Sequence, residues 1–136
     1  MKCLRLVTFL SFAQWSGIVS AQPPSFEGNW INRKGTIQVK AEPCHIFMCG
    51  WIVKAAPAAL ETARRRGADE LIGVQVLKDY RQISENTWKG TVFVPDRQAS
   101  VSSTLKLIDA NTLKITGCLI PGLFCKSQIW RRVLPG

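Results

Sequence analysis

Four cysteines and a histidine offer this 136-residue chain its most distinctive chemistry. Cys44, Cys49, Cys118 and Cys125, with His45 beside the first, could join as disulfides or hold a metal as thiolates. The choice depends on the compartment, and the first residues speak to that. Lys2 and Arg5 give a basic start, Leu6 to Val19 form a mostly apolar run, and Val19-Ser20-Ala21 offers the small residues that a signal peptidase reads. Gln14, Ser16 and Gly17 interrupt the run, which is short of the roughly 20 apolar residues of a transmembrane helix. Residues 1–21 are therefore expected to be a signal peptide, and residues 22–136 a single exported domain, periplasmic or secreted. Cys3 leaves with the leader, and it precedes the apolar run where a lipoprotein cysteine would follow it, so no lipid anchor is expected.

In an oxidising compartment four thiols predict two disulfides, with three possible connectivities. The sequence-local pairing, Cys44 with Cys49 and Cys118 with Cys125, is preferred, and each short loop is worth about 2 kcal/mol in the chain-entropy model. Structural zinc usually takes cysteines two to four residues apart in matching pairs, which neither spacing provides, so no metal is expected. Catalysis finds little support either. The single histidine has no evident partner, no carboxylate pair stands at a telling spacing, and Ser102, Ser103 and Ser127 have no base nearby in sequence. No Gly-rich phosphate loop is present, so neither an enzyme nor a cofactor is expected.

Losing Lys2 and Arg5 takes the 18 basic residues to 16 against 9 acidic ones, a formal charge near +7. Such a surface keeps the domain soluble and favours anionic partners. Most of this charge is scattered; the one run, Arg64-Arg65-Arg66, suits a solvated helix face or loop.

The elements that must position these residues read as β with one interruption. Thr36 to Ala41 alternates apolar and polar residues with period two, paired to Gly28–Asn32 around a turn at Arg33-Lys34-Gly35. Ile46 to Val53 follows. Pro57 to Gly67 is rich in Ala, Leu, Glu and Arg and predicts a helix with Pro and Gly as start and stop. Strands are then expected over Leu71–Leu77, Thr87–Val94, Ser100–Ile108, Thr112–Thr116 and Ser127–Val133, with Tyr80 and Arg81 in a turn. About eight strands with short turns suit an antiparallel meander, and closure into a barrel removes its edges. Such a barrel is either filled by side chains or just wide enough for one small ligand.

Four blocks carry a family resemblance: Phe26-Glu27-Gly28-Asn29-Trp30; Cys44 to Val53; Trp88 to Asp96; and Leu113 to Cys118 running on to Cys125-Lys126-Ser127-Gln128-Ile129-Trp130-Arg131-Arg132-Val133. On these residues the expected domain resembles the bacterial exported family DUF2147, a domain of unknown function with a lipocalin-like barrel. The resemblance implies an all-β, eight-stranded antiparallel barrel and the two local disulfides. The sequence departs from the family between Ala55 and Asp69, where an Ala- and Arg-rich stretch replaces an Asp and an Asn-Pro pair. It departs again at Lys89, Phe93, Arg97-Gln98 and Val101, where a Gly, a Tyr and an Asp-Gly turn are usual.

The G-x-W opening also resembles the lipocalin signature, in which a first-strand Trp plugs the closed end of the barrel beneath an Arg of the last strand. That resemblance implies a plug of Gly28, Trp30, Trp130 and Arg132 (or Arg131), because a guanidinium stacked on an indole adds about 0.5 to 2 kcal/mol. Trp51, Trp88, Phe93 and Phe124 are expected in packing of the core or a disulfide loop; if a ligand pocket exists, Trp51 and Trp88 are the candidate ligand-binding residues. Phe47 and Met48, between two cysteines, either touch a partner or cover the barrel end. Two functions of different class follow. One is a module binding a small apolar or amphipathic ligand; the other is a basic protein binding an anionic envelope component. Nucleic acid is not an expected partner, because the strands do not interleave basic and aromatic residues. A monomer without a membrane span is expected.

Overall fold

The computed structural model describes residues 10–18, 25–120 and 122–134. Most of the expected leader, and Gln22 after it, lie outside these residues, and positions 10–18 carry neither helix nor strand. Among the described residues no helix is long and apolar enough to cross a membrane.

Eight antiparallel strands meander in chain order into a closed barrel. They are β1 (Gly28–Ile31), β2 (Ile37–Cys44), β3 (Phe47–Ala55), β4 (Gln75–Ser84), β5 (Thr87–Val94), β6 (Ala99–Asp109), β7 (Thr112–Ile120) and β8 (Leu123–Arg132). The helix α1 (Pro57–Arg65) joins β3 to β4, and a single 3-10 turn, Pro95–Arg97, precedes β6. The alternation in β2 decides its facing: Val39 and Ala41 are buried while Lys40 is exposed. Their partners follow suit, with Ile52 and Gly50 inside opposite Val39 and Ala41. Closure of the ring is slight. The β1–β8 ladder pairs only Trp30 with Arg132 and Ile31 with Arg131, extended by the Val133 N–H donating to the Asn29 carbonyl at 2.8 Å.

Alternate connections of a meander share an end. One end therefore carries the β1–β2 turn, α1, the 3-10 turn and the β7–β8 turn; the N-terminal entry to β1 lies at the other. Helix α1 starts at Pro57, whose missing N–H costs nothing at a helix N-terminus. It buries Ala63 and packs Ala59 and Leu60 against the core. Arg66 then pairs with Asp96 at 2.7 Å, tying α1 to the 3-10 turn. Arg64 and Arg65 are exposed.

Three expectations need correction. The strand over Leu71–Leu77 is instead β4, Gln75–Ser84, and Tyr80 and Arg81 lie within it rather than in a turn. The cause is a bulge: Lys78 faces Thr91 and Arg81 faces Lys89, so Asp79 and Tyr80 together oppose Gly90. Asp79 takes a left-handed conformation (φ 50°) to make it, and Tyr80 is buried. The last two strands also run further toward their shared turn, with Cys118 opposite Cys125. Phe124, expected in packing, is 74 % exposed there.

Candidate functional site

The closed end is built around Trp30 and Arg132. The Trp30 indole donates to the Phe26 carbonyl at 2.7 Å, drawing the entering segment across the barrel floor. Phe26 meets Trp88 and Tyr80 edge to face, at 5.0 and 6.1 Å between centroids. The Arg132 guanidinium lies 4.4 Å over the Trp30 ring. It donates to the carbonyls of Ala110 at 2.8 Å, Glu27 at 2.5 Å and Ser25 at 3.2 Å. Partial burial lowers its pKa from the usual arginine range. Gly28 makes this stacking possible: its φ is 126°, and a Cβ there would stand 2.6 Å from an Arg132 nitrogen. Trp130 is buried beside them and donates to Gln128 at 3.1 Å. Shallow depressions of about 530 and 300 Å³ flank Arg132 on the outside. The side-chain nitrogens of Arg132 are already engaged, and its stack on Trp30 covers this end.

The other half of the barrel is different. Strand register places Gly90, Ser103, Gly117 and Lys126 in one row across the inner faces of β5 to β8. The row beneath holds Trp88, Leu105, Ile115 and Gln128. Residues facing into a closed, filled barrel are buried. Lys126 and Gln128 face inward and are nevertheless exposed, and Val92, Val101 and Gly117 are only half-buried. The reason is β1: four residues long, it leaves 123–130 of β8 without a strand partner on that side. The inner face of β5 to β8 is thereby left laterally open to solvent, as a shallow cup, at Lys126 and Gln128.

Two hydroxyls are buried behind this wall. Tyr80 and Ser103 are 1 % and 2 % exposed, and their hydroxyls meet no partner but each other. Burial raises the Tyr80 pKa well above its usual value, and hydrogen bonding to Ser103 opposes this. Gly90 and Gly117 flank Ser103 on both sides. Gly90 is needed for the bulge, since a Cβ would lie 2.7 Å from both the Lys78 carbonyl oxygen and the Tyr80 ring. At Gly117 a Cβ would meet only methyl groups of Val101 and Val92, at 3.2 and 3.5 Å.

The candidate ligand residues separate. Trp88 is inside but packed on Phe26. Trp51 pairs with exposed Lys40 and therefore sits on the outer face, so it does not line the interior. Sequence reasoning missed Tyr80 and Ser103, whose only signal was a lone Tyr in a segment read as a turn, and a Ser flanked across the sheet by glycines distant in sequence.

Disulfides join Cys44 to Cys49 and Cys118 to Cys125. Asp79 stands 4.0 Å from the Cys49 sulfur. These three side chains form the one group with ligand atoms close enough for a metal among the described residues, but both sulfurs are already bonded to each other. His45 is exposed in the β2–β3 turn, and Ser127 shares a hydrogen bond with Thr116.

A model of the family described as "Uncharacterized protein conserved in bacteria (DUF2147)" matches residues 28–132. Among solved structures the barrel is similar to one described as "Protein HP1028 from the human pathogen Helicobacter pylori belongs to the lipocalin family", with a TM-score of 0.65 at 11 % identity. The match covers 81 % of this chain and 84 % of that one, and it shows a shared lipocalin-like fold. No curated protein matches the sequence.

Proposed function

We propose that this chain, which belongs to the DUF2147 family of bacterial proteins, is an exported binding protein that holds a small apolar or amphipathic molecule in the open cup. The observation that most supports this reading is the inner wall left open to solvent at Lys126 and Gln128. Val92 and Val101 supply apolar surface, and the buried hydroxyls of Tyr80 and Ser103 lie close to each other behind it. Apolar walls with a few polar groups are the usual composition of a ligand site. Lys126 at the rim suits a ligand with an anionic head. Binding rather than chemistry fits the isolation of the exposed His45 and the absence of a base bonded to Ser103. Export is supported by the leader-like first residues and by two disulfides.

The test is native mass spectrometry of protein purified from its own host, at gentle and then denaturing settings, with a dansyl-labelled alkyl carboxylate as solution probe. The reading expects an adduct lost on denaturation and saturable probe binding. Val101→Trp, which fills the cup, should abolish probe binding while the urea midpoint stays near wild type. A bare mass with no saturable binding, or unchanged binding in Val101→Trp, refutes the cup as a site.

A further inference from the structure

The tip of the β7–β8 hairpin is the largest cluster of exposed apolar side chains in the barrel. Leu119, Ile120, Leu123 and Phe124 are 66 %, 50 %, 57 % and 74 % exposed around a tight turn at Gly122. Isolated exposed apolar residues are ordinary, but four in one turn mark a contact surface. The disulfide between Cys118 and Cys125 closes the rung just behind them, so the tip is held ready-made.

The charge around the tip selects the partner. From Ala110 to Gly136 there is no Asp or Glu. Exposed Lys126 stands one rung behind the disulfide, while Lys114, Arg131 and Arg132 lie toward the opposite end of the barrel. Helix α1 with exposed Arg64, and the β1–β2 turn with Arg33 and Lys34, share this end of the barrel; Asp69 and Glu70 are the acids there without an ion pair. Depth also fits. The two rungs beyond the disulfide extend about 7 Å at 3.3–3.4 Å per residue, within the 5–10 Å at which apolar groups seat in the headgroup and acyl boundary.

We propose that the β7–β8 tip docks the protein on an anionic lipid bilayer surface, its four apolar side chains entering the interface while Lys126, with Arg33, Lys34 and Arg64 at the same end, meets headgroup phosphates. This goes beyond ligand binding and does not depend on it. Docking would also bring the open side of the cup, whose wall includes β8, to the membrane.

The experiment is co-sedimentation of the full-length processed, oxidised protein with vesicles of phosphatidylglycerol and phosphatidylcholine in equal parts, against phosphatidylcholine alone. Binding to the mixed vesicles is expected, weakening as salt rises. The double variant Leu123→Ser/Phe124→Ser should lose at least tenfold in partition, and Lys126→Gln about fivefold. Both should keep the urea midpoint, because these side chains are exposed. Three outcomes overturn the proposal. They are failure of wild type to bind the mixed vesicles, binding of the double variant equal to wild type, and a dimer in sedimentation velocity that the double variant dissociates, which places a second copy on the tip. None of these results bears on probe binding in the cup, so the two readings fail separately.

Discussion

Replacing Gly90 with Ala sets two opposing effects against each other. In an ordinary strand the exchange is stabilising by about 0.5 to 1 kcal/mol, because the unfolded chain loses freedom. Here the new methyl would sit 2.7 Å from the Lys78 carbonyl oxygen, 2.7 Å from the Tyr80 ring and 2.9 Å from the Tyr80 Cα. Two of those three atoms are backbone of the β4 bulge, which neighbouring strands hold on both sides. Relief therefore requires β4 and β5 to separate by several tenths of an ångström, and overpacking of this kind costs about 1–3 kcal/mol. With the backbone unable to yield, the upper part of that range applies, and the net effect is a loss of about 2 kcal/mol. Gly117→Ala is the matched control. Its methyl meets only valine methyl groups, at 3.2 and 3.5 Å, beside the open cup, so its effect should stay within about 0.5 kcal/mol of wild type. Urea unfolding followed by tryptophan fluorescence measures both, since Trp30, Trp88 and Trp130 are buried. At slopes of about 1–3 kcal/mol per molar, Gly90→Ala should lower the midpoint by roughly 1 M. A Gly90→Ala protein as stable as wild type would show that the bulge does not press Tyr80 onto β5, and the account of the cup wall would fail with it.

Other consequences can be measured as directly. Tyr80 is the single tyrosine in the chain, so absorbance at 295 nm reports it alone. Its folded pKa lies above the ordinary value of about 10, so the stability it contributes is present below that pH and is lost as pH rises beyond it; tyrosinate should appear only together with unfolding. Reversible ionisation near pH 10 in a folded protein would contradict the burial. Arg132→Met removes the charged donors of three carbonyls and the contact with Trp30. It should cost about 2 kcal/mol, read as a fall in thermal midpoint, and Arg132→Lys should recover less than half, because an ammonium cannot fork among three acceptors. Cys118→Ser with Cys125→Ser should cost about 2 kcal/mol in urea without loss of the fold; complete unfolding would mean that the hairpin staple supports the barrel itself.

Much of the barrel was legible because its strands alternate plainly, as in β2, where Val39 and Ala41 turn inward and Lys40 outward. The plug was legible from Gly28, Trp30 and Arg132, since a glycine, an indole and a guanidinium are the groups such a stack requires. β4 was not. Its bulge shifts the phase of alternation at Asp79, so the segment read as one strand ending in a turn, and Tyr80 was set aside. Trp51 was misplaced for a related reason: an aromatic in a strand declares burial but not side, and only its pairing with Lys40 sets the side. The cup was illegible because it results from a length difference, a four-residue β1 beside a ten-residue β8, and no single residue announces that.

The same seam governs when the barrel can form. Its closing contacts join Ser25, Glu27, Trp30 and Ile31 to Arg131 and Arg132, across 100 or more positions of sequence. Contacts of such separation form late, after the entropy of closing the long loop has been met. A chain threaded through a translocation pore N-terminus first could build the β2–β3 and β4–β5 hairpins as they emerge, but it could not shut the ring until the last strand had passed. For a chain exported in this way, completion of the fold would follow completion of transport.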